Sequence, residues 1–316
     1  MSTLTNAQLQ AYLRIAGYAI AFFDYLQSLP SEYRLYSRQK GKPSIVCVLF
    51  VLVRYLGLAA VIIGNLGFFY HGFTPASCQK FYWAPPILKL LLYLVSQAIL
   101  AMRAYAVSKK ALWVRIVLPV AFVLTLVPEL ISIFYKRVPV SVKGSCTSEN
   151  PTGIKIGSLF YVGALVFDVV AMIITSMYLW KFSPANRSPL SRLNRMLIEG
   201  GMVYFAPLMS MNIVNLIFFQ NPDTTFHPAA AVLGYSITMI YSSRFILYLS
   251  ERGDKSEHPS SSRPGTSGYR GPSARNDTEM MVKVVRTVGM DMKDAHVESD
   301  NGKNANAKGR WAEESV

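Results

Sequence analysis

Seven stretches of the chain are each apolar over about the 20 residues that an α-helix needs to cross a bilayer core of roughly 30 Å. They run over about 9–28, 44–66, 85–107, 112–135, 156–180, 197–219 and 229–249. Inside lipid every backbone polar group must be satisfied internally, so only helices or a closed barrel can span. Barrel strands need only about 10 residues. The predicted fold is therefore all-α, a seven-transmembrane-helix bundle over residues 1–249. The first stretch holds Arg14 near its start and Asp24 near its end. It has no basic segment ahead of it and no clean cleavage site after it, so it is expected to be a span rather than a signal peptide.

Composition agrees with a membrane solvent. Of 316 residues, 52% are hydrophobic and 16% are charged, against roughly 25% charged in soluble domains. The net charge of +14 resides entirely in residues 1–249, which hold 21 basic and 7 acidic residues, whereas residues 250–316 hold 11 of each. Basic residues clustered around apolar runs are a topology signal. Nucleic-acid binding would need them on one wet face, so no nucleic-acid partner is expected. The side bearing Arg34, Arg38, Lys40, Lys42, Arg103, Lys109, Lys110, Arg115, Lys181, Arg187, Arg192, Arg195, Arg244, Arg252 and Lys255 should be cytoplasmic. The opposite side has only Lys80, Lys136, Arg137, Lys143 and Lys155. The N-terminus is then outside and the C-terminus cytoplasmic, in the plasma membrane or another secretory-pathway membrane. The segment 136–155 dissents, with four basic residues on the outer face.

After residue 249 the composition changes to Ser, Pro and Gly, and residues 250–316 are expected to form a disordered cytoplasmic tail. Met280-Met-Val-Lys-Val-Val-Arg-Thr-Val288 interrupts it, either as a binding segment for a cytoplasmic partner or as apolar linker.

Asp24-Tyr25-Leu26, followed by Leu29-Pro30-Ser31-Glu32, a basic loop and Arg54-Tyr55, gives the segment 24–55 a distinctive pattern. It resembles the N-terminal domain of unknown function of a large fungal, chiefly basidiomycete, family of seven-helix integral membrane proteins. Tyr36 stands where that family often has tryptophan. The resemblance implies a seven-helix fold and a receptor-like description, without an assigned chemistry.

Charges at bilayer depth are costly, and each is a functional candidate by default. Helical rise places Lys89 and Glu129 in the outer leaflet, Arg54 and Asp168 near the midplane, and Asp24, Glu199 and Arg244 toward the inner leaflet. In a ring of seven helices the first and last are neighbours, so Asp24 with Arg244 and Lys89 with Glu129 are expected pairs. Arg54 is expected to meet Asp168, or failing that Asp24. Structural pairing and a ligand, ion or switching role both remain open for these residues. Asn212 and Asn215, three apart, share a polar face of the sixth span, and Pro207 is expected to kink it.

The three cysteines divide by sidedness. Cys47 lies at the cytoplasmic end of the second span, while Cys78 and Cys146 lie in outer segments, where disulfides persist. A Cys78–Cys146 bridge is expected, the alternative being two separate thiols.

Catalytic signatures are missing. The four histidines, His71, His227, His258 and His296, are scattered over loops and tail, and no H-E-x-x-H, G-x-S-x-G or P-loop occurs. Neither an enzyme, a metal nor a cofactor is expected. The last span has no lysine for a retinal Schiff base. The third span ends Met102-Arg103-Ala104-Tyr105, without the acidic residue that precedes this arginine in many receptors. The expected function is receptor-like transmembrane signalling in response to an extracellular small-molecule ligand, in contact with the lipid bilayer. The alternatives are a small-solute transporter or channel using Arg54 and Asp168, and a membrane scaffold acting through its tail.

Overall fold

The computed structural model describes residues 6–37, 44–142, 144–149, 156–182, 202–220 and 230–257. Its helices are α1 (Asn6–Ser37), α2 (Ile45–Phe69), α3 (Pro75–Phe81), α4 (Ala84–Val107), α5 (Leu112–Phe134), α6 (Gly157–Phe182), α7 (Phe205–Gln220) and α8 (Ala231–Glu257). Five apolar segments are long enough to cross a membrane: α2, α3 joined to α4, α5, Gly157–Lys181 of α6, and Ala231–Ser250 of α8. The 16-residue α7 is apolar but shorter. The 32-residue α1 carries Arg14, Asp24, Glu32 and Arg34 along its length.

α4 lies at the centre and packs against α2, α5, α6 and α8. α1 packs against α2 and α8, so the first and last helices are neighbours. The core joins Phe50 and Val53 of α2, Leu92 of α4, Phe160 of α6 and Met239 of α8. Large apolar side chains also cover the outside. Ile116, Val120, Val123, Leu124 and Val127 of α5 are exposed, a surface stable only against lipid or another protein.

Where helices approach closely, small residues allow it. A Cβ on Gly57 of α2 would stand 2.6 Å from Met239 Cβ, so α2 and α8 owe their separation to this glycine.

The structure departs from the sequence expectations at several boundaries. α1 continues through Pro30 to Ser37, past the expected end at 28. α8 continues past 249 to Glu257. In both cases a polar helical turn extends beyond the apolar run. Pro207 falls in the first turn of α7, preceded by a 3₁₀ turn at Met202–Tyr204. A proline there sacrifices little, because first-turn N–H groups have no helical acceptor, so among the described residues Pro207 opens a helix and does not interrupt one.

The segment expected as a plain loop contains an antiparallel hairpin, β1 (Val138–Val142) and β2 (Ser145–Glu149), with Ser141 opposite Cys146. Gly144 closes its turn with φ 83°, and a Cβ there would stand 2.1 Å from the His71 carbonyl oxygen. The Phe73 N–H donates to the Gly144 carbonyl at 3.0 Å, which fastens the hairpin to the α2–α3 connection. Cys146 of β2 is disulfide-bonded to Cys78 of α3, with Cα atoms 5.5 Å apart. α3 is itself fixed by a capping box between Thr74 and Ser77. Cys47, at the other end of the bundle, is a buried free thiol.

Candidate functional site

The buried polar residues form three tiers. In the half of the bundle that holds Cys47, Arg54 of α2 is 1% exposed. Its Nε lies 2.9 Å from Glu32 Oε2. Its Nη1 donates to Ser28 Oγ at 2.7 Å and its Nη2 to the Tyr25 carbonyl at 2.9 Å. The Tyr25 ring lies under the guanidinium at 4.5 Å. Glu32 Oε1 accepts from the hydroxyls of Tyr36 at 2.6 Å and Tyr55 at 3.2 Å.

This corrects the expected Arg54–Asp168 pair, and also the Asp24 alternative. Because α1 remains helical beyond Pro30, Glu32 stands inside the bundle beside Arg54 instead of in a loop. Asp24 is engaged elsewhere: it pairs with Arg244 of α8, whose Nη2 also donates to Gln27 Oε1 at 2.5 Å.

In the middle tier, Asp168 of α6 is buried and its Oδ2 accepts from Asn212 Nδ2 of α7 at 2.8 Å. Glu129 of α5 accepts through Oε1 from Gln97 Nε2 of α4 at 2.7 Å. Glu129 Oε2 and Gln97 Oε1 are buried without hydrogen-bond partners. Ser96 and Ser242 join α4 to α8 at 2.9 Å. Asn215 is fully buried, and its Nδ2 donates to the Met211 carbonyl of its own helix at 2.9 Å. Asn212 and Asn215 thus do share an inward face, but only Asn212 bridges to another span.

In the outer tier, Lys89 of α4 and Glu129 of α5 are oppositely charged neighbours, as expected, but make no direct ion pair. The Lys89 Nζ lies over the rings of Phe160 and Tyr161, at 3.6 and 4.0 Å. The direct contacts of the two differ: Lys89 turns toward the rings of α6, while Glu129 Oε1 takes the Gln97 amide. Arg137, just before β1, donates from Nη1 to Ser148 Oγ at 3.0 Å, and its Nε is buried without a hydrogen-bond partner. Burial lowers the Arg137 pKa, opposed by neighbouring Tyr235 and Tyr161. Arg14 of α1 donates to the Gly64 carbonyl at 2.9 Å and lies near Tyr235. Glu199 lies outside the described residues, as do His227, His258, His296 and the tail from residue 258.

Sequence reasoning missed Arg103 as an interior group. It is 3% exposed, none of its three nitrogens has a hydrogen-bond partner, and its guanidinium lies over Phe205 and Phe245 at 4.5 and 4.9 Å. Tyr93, Tyr161 and Tyr235, all buried, were also missed. An aromatic residue inside an apolar run gives no signal that separates an inward hydroxyl from a lipid-facing ring.

Among the described residues no group of three or more His, Cys, Asp and Glu side chains is placed to hold a metal ion.

No curated protein matches the chain. A model for a family of unknown function (DUF6533) matches residues 12–59. That segment contains Asp24, Tyr25, Ser28, Glu32, Tyr36, Arg54 and Tyr55, so the matched region supplies every residue of the Arg54–Glu32 network.

Proposed function

We propose that this multi-pass membrane protein is receptor-like, with seven spans, its N-terminus outside and its C-terminus in the cytoplasm of a fungal cell. It passes the occupancy of an outer site by a small molecule to a cytoplasmic partner, which the tail helps to hold. No enzymatic role is proposed. The observation that carries this reading is the pair of buried bridges, Gln97–Glu129 and Asp168–Asn212, which link α4 to α5 and α6 to α7 inside the bundle. Buried polar bridges between spans have few alternative partners in lipid, so rearranging one repacks two helices together.

The orientation is supported by the basic residues and by the Cys78–Cys146 bridge, whose persistence suits an oxidising outer side. The family match over residues 12–59 supports the fungal assignment only through the resemblance of that segment. Transport finds less support, because Arg54 is held in place by Glu32, Ser28 and Tyr25.

Two experiments test the reading. Protease added to sealed cells should spare an epitope fused after Val316; cleavage without permeabilisation would overturn the orientation. Cells producing the chain should show dose-dependent changes in cytoplasmic protein phosphorylation when compounds are added outside. Uptake of those compounds into proteoliposomes, without a cytoplasmic response, would replace signalling by transport.

A further inference from the structure

Arg103 carries a charge into the interior without an acceptor for it. The residue is 3% exposed, and none of Nε, Nη1 and Nη2 has a hydrogen-bond partner. Its guanidinium rests on the rings of Phe205, the first residue of α7, and of Phe245 on α8, at 4.5 and 4.9 Å. Its ionisable neighbour is the Tyr204 phenol, whose ring packs in turn on Phe245, Tyr248 and Tyr241. The buried carboxylates among the described residues are committed elsewhere: Asp24 to Arg244, Glu32 to Arg54, Glu129 to Gln97 and Asp168 to Asn212.

Ring faces attract the charge, but a fork of N–H donors suited to a planar anion is left unused. A buried charge in that state is costly. The position of Arg103 tells from which side an acceptor can come. It lies four residues before Val107, the last residue of α4, about 6 Å along the axis from that end. That end is remote from the Cys78–Cys146 bridge, and Arg34, Lys109, Arg115 and Lys181 are exposed there. α4 is the central helix, packed by α2, α5, α6 and α8. A lipid headgroup outside the bundle therefore does not face the guanidinium. An acidic segment arriving along the bundle axis does, and the basic rim draws it in.

We propose that Arg103 anchors a carboxylate on a short acidic, apolar segment of a cytoplasmic protein. The segment enters at the Val107 end of α4, and its carboxylate takes the guanidinium as a bidentate pair. Phe205 and Phe245 leave the guanidinium and pack on the apolar side chains of the segment. Those rings belong to α7 and α8, so docking is coupled to the placement of the two helices. A bundle in which they have moved off Arg103 binds the segment more tightly, and by reciprocity the bound segment holds them there. This inference rests on the receptor-like reading for its orientation, and it assigns the partner class and the residue that anchors it.

The test uses the full chain in phosphatidylcholine nanodiscs, with a short fluorescent peptide of leucine, phenylalanine and glutamate as probe and its glutamine counterpart as control. Anisotropy should show saturable binding of the glutamate peptide, at least about ten-fold tighter than the glutamine peptide. Arg103→Met should abolish that preference, and Arg103→Lys, which keeps the charge but not the fork, should retain part of it. Removing a buried charge that has no partner should not harm the fold, so Arg103→Met should unfold at the parent temperature or above it. Equal binding of the two peptides, no saturable binding of either, or an undiminished preference in Arg103→Met would overturn the site. A clearly lower unfolding temperature in Arg103→Met would overturn it too, and the same loss in Glu199→Gln would name a partner within the chain. A rise in unfolding temperature on adding phosphatidylserine that Arg103→Met abolishes, without any peptide preference, would assign the arginine to a headgroup instead. Binding as expected without a cytoplasmic response to compounds added outside leaves the site standing and removes the signalling reading. A response that survives unchanged in Arg103→Met keeps that reading and overturns the site.

Discussion

Replacing Arg54 by methionine should be among the more destructive single changes in the bundle. The side chain is 1% exposed and gives up three contacts at once, to Glu32 Oε2, Ser28 Oγ and the Tyr25 carbonyl. Removing one partner of a buried ion pair costs about 3–5 kcal/mol, because the other charge is left desolvated. The loss should fall toward the lower end, since the Tyr36 and Tyr55 hydroxyls continue to donate to Glu32. Glu32→Gln should also destabilise, by leaving the guanidinium with neutral acceptors alone. The double change Arg54→Met with Glu32→Gln should cost less than the sum, by about 1–3 kcal/mol. Arg54→Met with Asp168→Asn should instead add to within about 0.5 kcal/mol, because the two residues share no partner. Reversible unfolding in mixed detergent and dodecyl sulfate micelles, followed by circular dichroism, gives the free energies of these four variants and of Asp168→Asn alone, which completes the second comparison. Additivity with Glu32, together with coupling to Asp168, would refute the assigned network.

Gly57→Ala should destabilise by about 1–3 kcal/mol through overpacking against Met239, and Met239→Ala should recover part of the loss in the same unfolding assay. Cys78→Ser should lower stability by roughly 2–4 kcal/mol by releasing the 68-residue closure to Cys146; non-reduced peptide mapping should find the two cysteines linked in the parent protein, and free thiols at both would contradict the structure. Asp24→Arg or Arg244→Asp alone should reduce folded yield, whereas the two together should restore it, as measured by size-exclusion recovery in detergent.

The spans were legible because a run of some 20 apolar residues has little alternative to a helix in lipid. Their ends were not. Hydropathy stops where the lipid stops, whereas the backbone hydrogen bonds of α1 and α8 continue into polar turns. This is why Glu32 falls outside the expected first span and Arg54 is assigned the wrong partner. A signal was present: Asp24, Ser28 and Glu32 recur every four residues and so line one helical face. The Asp24–Arg244 contact was legible from the closure of a helical ring. Lys89 and Glu129 show how far counting residues reaches: helical rise brings the two charges near each other, but packing around the axis gives each a different direct contact. The hairpin had a period-two trace in Val138, Val140 and Val142, overshadowed by the proline and basic residues around it.

The central claim is that occupancy of the outer tier changes the cytoplasmic end of the helices. Paired nitroxide labels at Leu112→Cys on α5 and Val203→Cys before α7, both exposed positions, would report it in a Cys47→Ser background by electron–electron distance measurement. A compound that evokes the cytoplasmic response from outside should, at saturation, shift the distance distribution by about 2 Å or more, the scale of a helix rearrangement, and an inactive analogue should leave it unchanged. An identical distribution with the responsive compound at saturation would contradict the account.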